Sequence, residues 1–139
     1  MDREQRLLRH GFALYLLGLL TGLAAYALEN PRMGVAAHVE GVVNAIFLIV
    51  LGVAWPRLGL EGRAATCAYA TGVVGAYANW GIPLFSAIVG ASQPILAGAG
   101  FEASPWAETI LRISPIGGVV APLLCAALVL WGLHRRAAT

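Results

Sequence analysis

The chain has 139 residues, 59% hydrophobic and 12% charged, and its mean hydropathy is +0.76. Water-soluble domains hold roughly 25% charged residues, so the composition reads as one membrane-embedded domain over residues 1–139 and not as a soluble globule. The net charge of +2 contains no lysine, and the arginines gather at segment ends, which excludes a nucleic-acid footprint.

The amino terminus, MDREQRLLRH, is charged and leads straight into an apolar segment. About 20 apolar residues cross a bilayer core, and the first span is expected over 10–29. Its uncharged part, Gly11 to Leu28, is longer than the apolar region of a secretory leader, and no small-residue cleavage site follows it. It contains GLLTG (18–22), a pattern that lets helices pack closely in lipid. ENPR (29–32) makes a short connection to a second span over 33–55, where Glu40 is the one formal charge. PRLGLEGR (56–63) connects to an uncharged run from Ala64 to Phe101, too long for one simple span. The third helix is therefore placed at 64–92. SQPILAGAGFEASP, punctuated by Pro94, Gly98, Gly100 and Pro105, is expected to be a connection over 93–105, folded as a lid or short surface helix. The fourth span is expected over 106–133. Pro83, Pro115 and Pro122 predict kinks or freed carbonyls. Trp55, Trp106 and Trp131 fall near span ends, as interfacial aromatics do. Cys67 and Cys125 occur without CxxC or CxxCH, so a zinc knuckle and covalent c-type haem are not indicated, and both are expected to pack as small hydrophobes.

The first two connections are short enough to allow only antiparallel neighbours. The expected fold class is all-α: an integral-membrane four-helix bundle of up-down-up-down order, expected to be oligomeric. In that order Arg3, Arg6, Arg9, Arg57, Arg63, Arg135 and Arg136 share one side, against Arg32 and Arg112 on the other. The bias places both termini in the cytoplasm of a bacterial-type inner membrane.

Ionisable groups inside a span are costly and mark function by default. The second span carries His38, Glu40 and Asn44, and GAYANWG (75–81) in the third supplies Tyr77, Asn79 and Trp80. At about 100° per residue, Glu40 and Asn44 lie roughly 40° apart, whereas His38 lies roughly 160° from Glu40 and 120° from Asn44. The second helix thus presents two polar faces. Gly41 lies on a row with His38 and Asn44 and would let something bulky approach beside His38. His38 is either hydrogen-bonded to a neighbouring helix or a metal ligand. As the one histidine well inside a span it suits a single axial bond to haem more than a multi-histidine site. His10 and His134 are expected at solvated span ends. Glu40 is a helix-tying carboxylate, a group that orients a ligand, or the coupling carboxylate of a transporter. Asn44 and Asn79 read as inter-helix hydrogen bonds or substrate contacts, and Tyr77 and Trp80 as packing.

NPRMGVAAHVEGVVNAIFLIVLGVAWPRL followed by GAYANWG resembles the hydroxylaminobenzene mutase family over roughly residues 6–85. The combination of H-x-E-G-x-x-N (His38, Glu40, Gly41, Asn44) with A-N-W (Ala78 to Trp80) carries the likeness. The chain is more distantly similar to styrene oxide isomerase, through His38 to Asn44 and Tyr77 to Asn79. That second resemblance implies haem b, bound non-covalently between protomers of a trimer through one axial histidine, with its iron acting as a Lewis acid. Carried over, His38 is the metal and haem ligand and Asn44 a substrate-pocket residue. The position of that family's catalytic tyrosine falls on Pro83 here, so Tyr77 or Trp80 would replace it in part, or the substrate differs. The departure favours mutase over epoxide chemistry.

The resulting expectation is a membrane isomerase converting aryl hydroxylamines to aminophenols. Asn44, Asn79, Tyr77 and Trp80 would be catalytic, and His38, Gly41 and Glu40 would line the cofactor site. The expected partners are a small aromatic substrate, membrane lipid and further copies of the chain, with no nucleic acid. The alternatives are an aryl epoxide isomerase and a small proton-coupled multidrug transporter working through Glu40. A haem electron-transfer subunit is disfavoured, because one internal histidine cannot supply two axial ligands.

Overall fold

The computed structural model describes residues 2–91 and 100–137, and among them every regular element is helical. Four α-helices follow one another: α1 (Arg3–Ala24), α2 (Pro31–Ala54), α3 (Gly62–Val89) and α4 (Pro105–Ala137). One-turn 3-10 segments at Ala25–Ala27 and Trp55–Arg57 extend the first two. Each of the four is long and apolar enough to cross a membrane. α1 begins at Arg3, so the charged segment before the expected span forms the first turns of the same helix. The 93–105 connection falls mostly outside the described residues. Among its described part, Ala103 N–H donates to Glu108 Oε1 at 3.3 Å, at the entrance to α4.

Local chemistry sets the helix ends. In ENPR, Asn30 is the N-cap of α2. Its Oδ1 accepts from Met33 N–H at 3.3 Å, and Pro31 occupies a first-turn position where no amide hydrogen is needed. Asn30 is 0% exposed because its other end is used as well: Nδ2 donates to the Ala91 carbonyl at 2.8 Å, and its backbone N–H donates to the Ala87 carbonyl at 3.0 Å. One residue thus ties the α1–α2 connection to the end of α3. α3 stops at Gly90, whose φ of 70° is the left-handed turn that closes a helix. At the opposite ends of the helices, Arg3 donates to Thr66 Oγ1 at 2.7 Å and Arg136 donates to the Pro56 carbonyl at 2.6 Å.

α1 packs on α2, α2 on α3 and α3 on α4. The distribution of side chains is that of a lipid-solvated protein. Much of the interior is small (Ala37, Ala45, Ala65, Ala68, Ala76, Ala87), while Phe12, Leu23, Val43 and Leu123 point outward. Apolar burial gains little against acyl chains, so close van der Waals packing carries helix association in lipid. The glycines mark where that packing is closest. Going up α1, Leu7 and Leu8 meet Gly52, Gly18 meets the backbone of Gly41, Gly22 meets His38, and Ala25 meets Gly34. Between α3 and α4 the glycines instead receive side chains: Gly75 receives Pro122, Gly72 receives Cys125 Sγ, and Gly118 receives Asn79 Oδ1. Cys125 is buried, Cys67 is half-buried, and both are free thiols.

Candidate active site

α2 carries the polar groups, and its neighbours divide them. His38 turns to α1, where Nδ1 donates to the Gly18 carbonyl at 2.8 Å. The ring rests against Gly22, where an added Cβ would come within 2.6 Å of Nδ1. His38 also lines an apolar, outward-opening groove of about 540 Å³ with Leu19, Gly22, Leu23, Tyr26 and Val35. Leu23 and Tyr26 are 85% and 83% exposed, so in a bilayer this groove faces lipid or a neighbouring molecule. A second depression of about 540 Å³, at Trp55, Pro56, Glu61, Arg135 and Arg136, shares none of these residues.

The other face of α2 meets α3. Asn44 is buried, and its Nδ2 donates to the Glu40 carbonyl at 2.9 Å and to Glu40 Oε2 at 2.9 Å. Both partners are acceptors, which fixes the orientation of the amide. Asn44 Oδ1 then accepts from Asn79 Nδ2 at 3.4 Å. The result is a polar relay, Glu40 to Asn44 to Asn79, crossing from α2 to α3 and ending beside Gly118 of α4.

The remaining members of the expected set go elsewhere. The Tyr77 hydroxyl lies 3.4 Å from the His10 carbonyl and from His10 Nδ1, so α3 turns it away from the amide pair and toward α1. His10 is accordingly not a solvated span-end residue: it is half-buried, with its ring edge-on to Tyr77 at 5.8 Å. Trp80 donates Nε1 to Thr21 Oγ1 at 3.1 Å. Its ring edge covers Gly41, where an added Cβ would lie 2.8 Å from both Trp80 Cδ1 and Gly18 Cα. The space that Gly41 opens is thus filled by α1 backbone and an indole. Thr21 and the Gly18 carbonyl are the participants the sequence did not announce. Thr21 sits inside GLLTG, where the two glycines draw the eye, and a backbone carbonyl has no signature in the sequence.

A family model described as styrene oxide isomerase matches residues 3–134. The chain belongs to the styrene oxide isomerase family. Among similar proteins are two from Ectopseudomonas oleovorans. Hydroxylaminobenzene mutase HabB is 41% identical over 137 residues, covering 96% of this chain and 83% of that protein. Hydroxylaminobenzene mutase HabA is 36% identical over 119 residues, covering 86% of this chain and 82% of that protein. By these relationships the chain is an isomerase. Within α2 the polar groups lie on two faces: His38 toward α1 and the Glu40–Asn44–Asn79 relay toward α3.

Proposed function

We propose that this chain rearranges aryl hydroxylamines to aminophenols inside the membrane, with His38 holding haem b and the amide relay holding the substrate. The observation that carries the reading is a hydrogen-bonded pair of side-chain amides, buried Asn44 and half-buried Asn79, between apolar helices of a chain 41% identical to a hydroxylaminobenzene mutase. The reaction is an isomerisation. The N–O bond breaks, a C–O bond forms on the ring, the ring carbon loses a proton and the nitrogen gains one. N–O heterolysis is the difficult step, because hydroxide leaves poorly.

The residues at His38 fit a haem ligand. One ring nitrogen is held by a carbonyl, the other makes no hydrogen bond among the described residues, and the adjoining groove is apolar and open. Haem iron, when bound, supplies a Lewis acid worth several kcal/mol to the charge developing on the departing oxygen. The chain's own side chains do the rest. Asn44 spends its Nδ2 on Glu40 and presents only its carbonyl oxygen, which holds Asn79 in place. The second N–H of Asn79 is then the donor for the departing oxygen, and it acts in surroundings that exclude bulk water. Glu40 orients Asn44. Trp80 closes the α1–α2 seam over Gly41, and Tyr77 packs on His10 of α1, away from the pair.

The packing sequence of α1 against α2, descending in α2 as it rises in α1, supports an up-down-up-down bundle. The contacts Arg3–Thr66 and Arg136–Pro56, with seven arginines on that side, support cytoplasmic termini in a bacterial inner membrane. His38 and buried Asn44 lie on different sides of α2. A homo-oligomer, a trimer by family resemblance, would let one protomer's haem meet the next protomer's amide pair near their interface. The second reading, aryl epoxide isomerisation, draws on the family model, and Pro83 at the expected tyrosine position counts against it.

The test is to purify the full chain in detergent, record its visible spectrum and offer phenylhydroxylamine. Aminophenol formation and a Soret band lost in His38→Ala are expected. A colourless protein that still converts the substrate removes haem from the account. Absence of conversion, together with proton-linked export that Glu40→Gln abolishes, replaces the isomerase by a transporter.

A further inference from the structure

We propose that α1 is the orienting wall of the His38 site: the Gly18 carbonyl and the bare surface of Gly22 hold the imidazole in its Nδ1–H tautomer and leave Nε2 as the electron-pair donor. The use of that donor rests on the haem reading above, whereas the geometry concerns α1 and His38 alone.

Three contacts carry the argument. First, a carbonyl oxygen only accepts, so the 2.8 Å contact between Nδ1 and Gly18 O requires the proton on Nδ1. A free neutral histidine side chain favours the proton on Nε2, so the carbonyl selects the less common form. A helix carbonyl engaged in its own ladder still has a second lone pair to offer. Second, the ring can reach that carbonyl only because residue 22 has no side chain. A Cβ there would lie 2.6 Å from Nδ1, 2.9 Å from Cγ and 3.0 Å from Cε1. Third, the carbonyl itself is held from two other helices. Gly18 abuts the backbone of Gly41 in α2, and Trp80 of α3 covers Gly41 while donating to Thr21 at 3.1 Å. Thr21 in turn donates to the Leu17 carbonyl at 2.8 Å. Gly18, Thr21 and Gly22 are therefore positioning residues that act through His38. A carbonyl accepting from Nδ1–H also raises the basicity of Nε2, as outer partners of metal-binding histidines do.

The test is nitrogen-15 NMR of the full chain, labelled at its three histidines, in lipid nanodiscs at about pH 8.5, where unperturbed histidines are neutral. Spectra are taken before and after haemin is added. Before addition, one histidine is expected to show the Nδ1–H pattern, and that signal disappears in His38→Gln. Gly22→Ala is expected to lose the pattern and to bind haemin about tenfold more weakly, the lower end of the range for losing an outer partner of a metal ligand. Gly117→Ala, whose added Cβ meets nothing within 4 Å, should retain both properties. An Nε2–H pattern for His38 in the unaltered chain overturns the proposal, and that measurement needs no variant to fold. Gly22→Ala with an unaltered pattern overturns it as well. An Nδ1–H pattern in a chain that takes up no haemin overturns the haem reading and leaves this inference standing.

Discussion

His38 and Asn44 share one helix, yet their surroundings are built from different materials. His38 meets main chain: a carbonyl oxygen and a glycine surface, both from α1. Asn44 meets, besides the Glu40 carbonyl of its own helix, two side chains: the carboxylate of Glu40 and the amide of Asn79. The first environment is made of main chain, so it is altered by adding atoms to its glycines or through supporting side chains such as Thr21. The second is a relay in which each member can be exchanged and its donors or acceptors removed one at a time. The same division runs through the seams, where α1 and α2 touch backbone to backbone at Gly18 and Gly41, while α4 offers Pro122 and Cys125 to the glycines of α3. A site that must fix one ligand geometry sits well on the rigid seam, and a site that must adapt to a reacting substrate sits well on the adjustable one.

Asn79→Ala separates the two regions most sharply. It removes the free amide donor while leaving α1 and His38 untouched. On the proposed function, kcat for hydroxylamine rearrangement is expected to fall about 10²–10³-fold, as on removal of one oxyanion donor, with any spectrum due to His38-bound haem unchanged. Loss of the spectrum in this variant would show that the regions are not independent. Gly18→Ala attacks the other region. Its Cβ would lie 3.0 Å from the Gly41 carbonyl carbon and from Val42 N, and backbone cannot step aside. A stability loss of about 1–3 kcal/mol, the usual scale for overpacking, should appear in thermal unfolding in detergent.

Thr21→Val sharpens the comparison, because it keeps the shape of the α1 seam and removes one hydrogen bond. Trp80 Nε1 loses its acceptor, and a cost of about 1 kcal/mol is expected. It should be visible as a lower unfolding midpoint, with the Nδ1–H signal of His38 retained. Glu40→Gln is the mildest change. Glutamine still presents an oxygen to Asn44 Nδ2, and Glu40 is exposed. Turnover should change only roughly twofold, the size of a surface effect of about 0.5 kcal/mol. A large loss would mean that the charge itself is used.

Much of the fold was legible because it follows from local rules. Four apolar runs of bilayer length became four helices, while the third, expected over 64–92, stops at Val89 because Gly90 takes the left-handed turn. The angular split of His38 from Asn44 followed from the helical period. The helix begins before the expected span, at Arg3, since a charged segment that leaves the bilayer can remain helical. The expectation for His10 failed for a related reason: its position in the sequence suggested water, while Tyr69 and Tyr77 of α3 supplied an aromatic wall. The structure also turns Tyr77 and Asn79 to different neighbours, because residues two apart on a helix point to nearly opposite sides.

The sequence by itself determined the number of spans, the two polar faces of the second helix and, through its motifs, the family. Tertiary structure alone decided what covers each face. Gly41 announced a close approach without saying that Gly18 and Trp80 would make it, and His38 gave no sign that its partner is a main-chain oxygen. Helical period is written into residue order, but packing between helices depends on volumes contributed from distant parts of the chain. Every residue carries the same backbone carbonyl, so no letter of the sequence marks the one that is used.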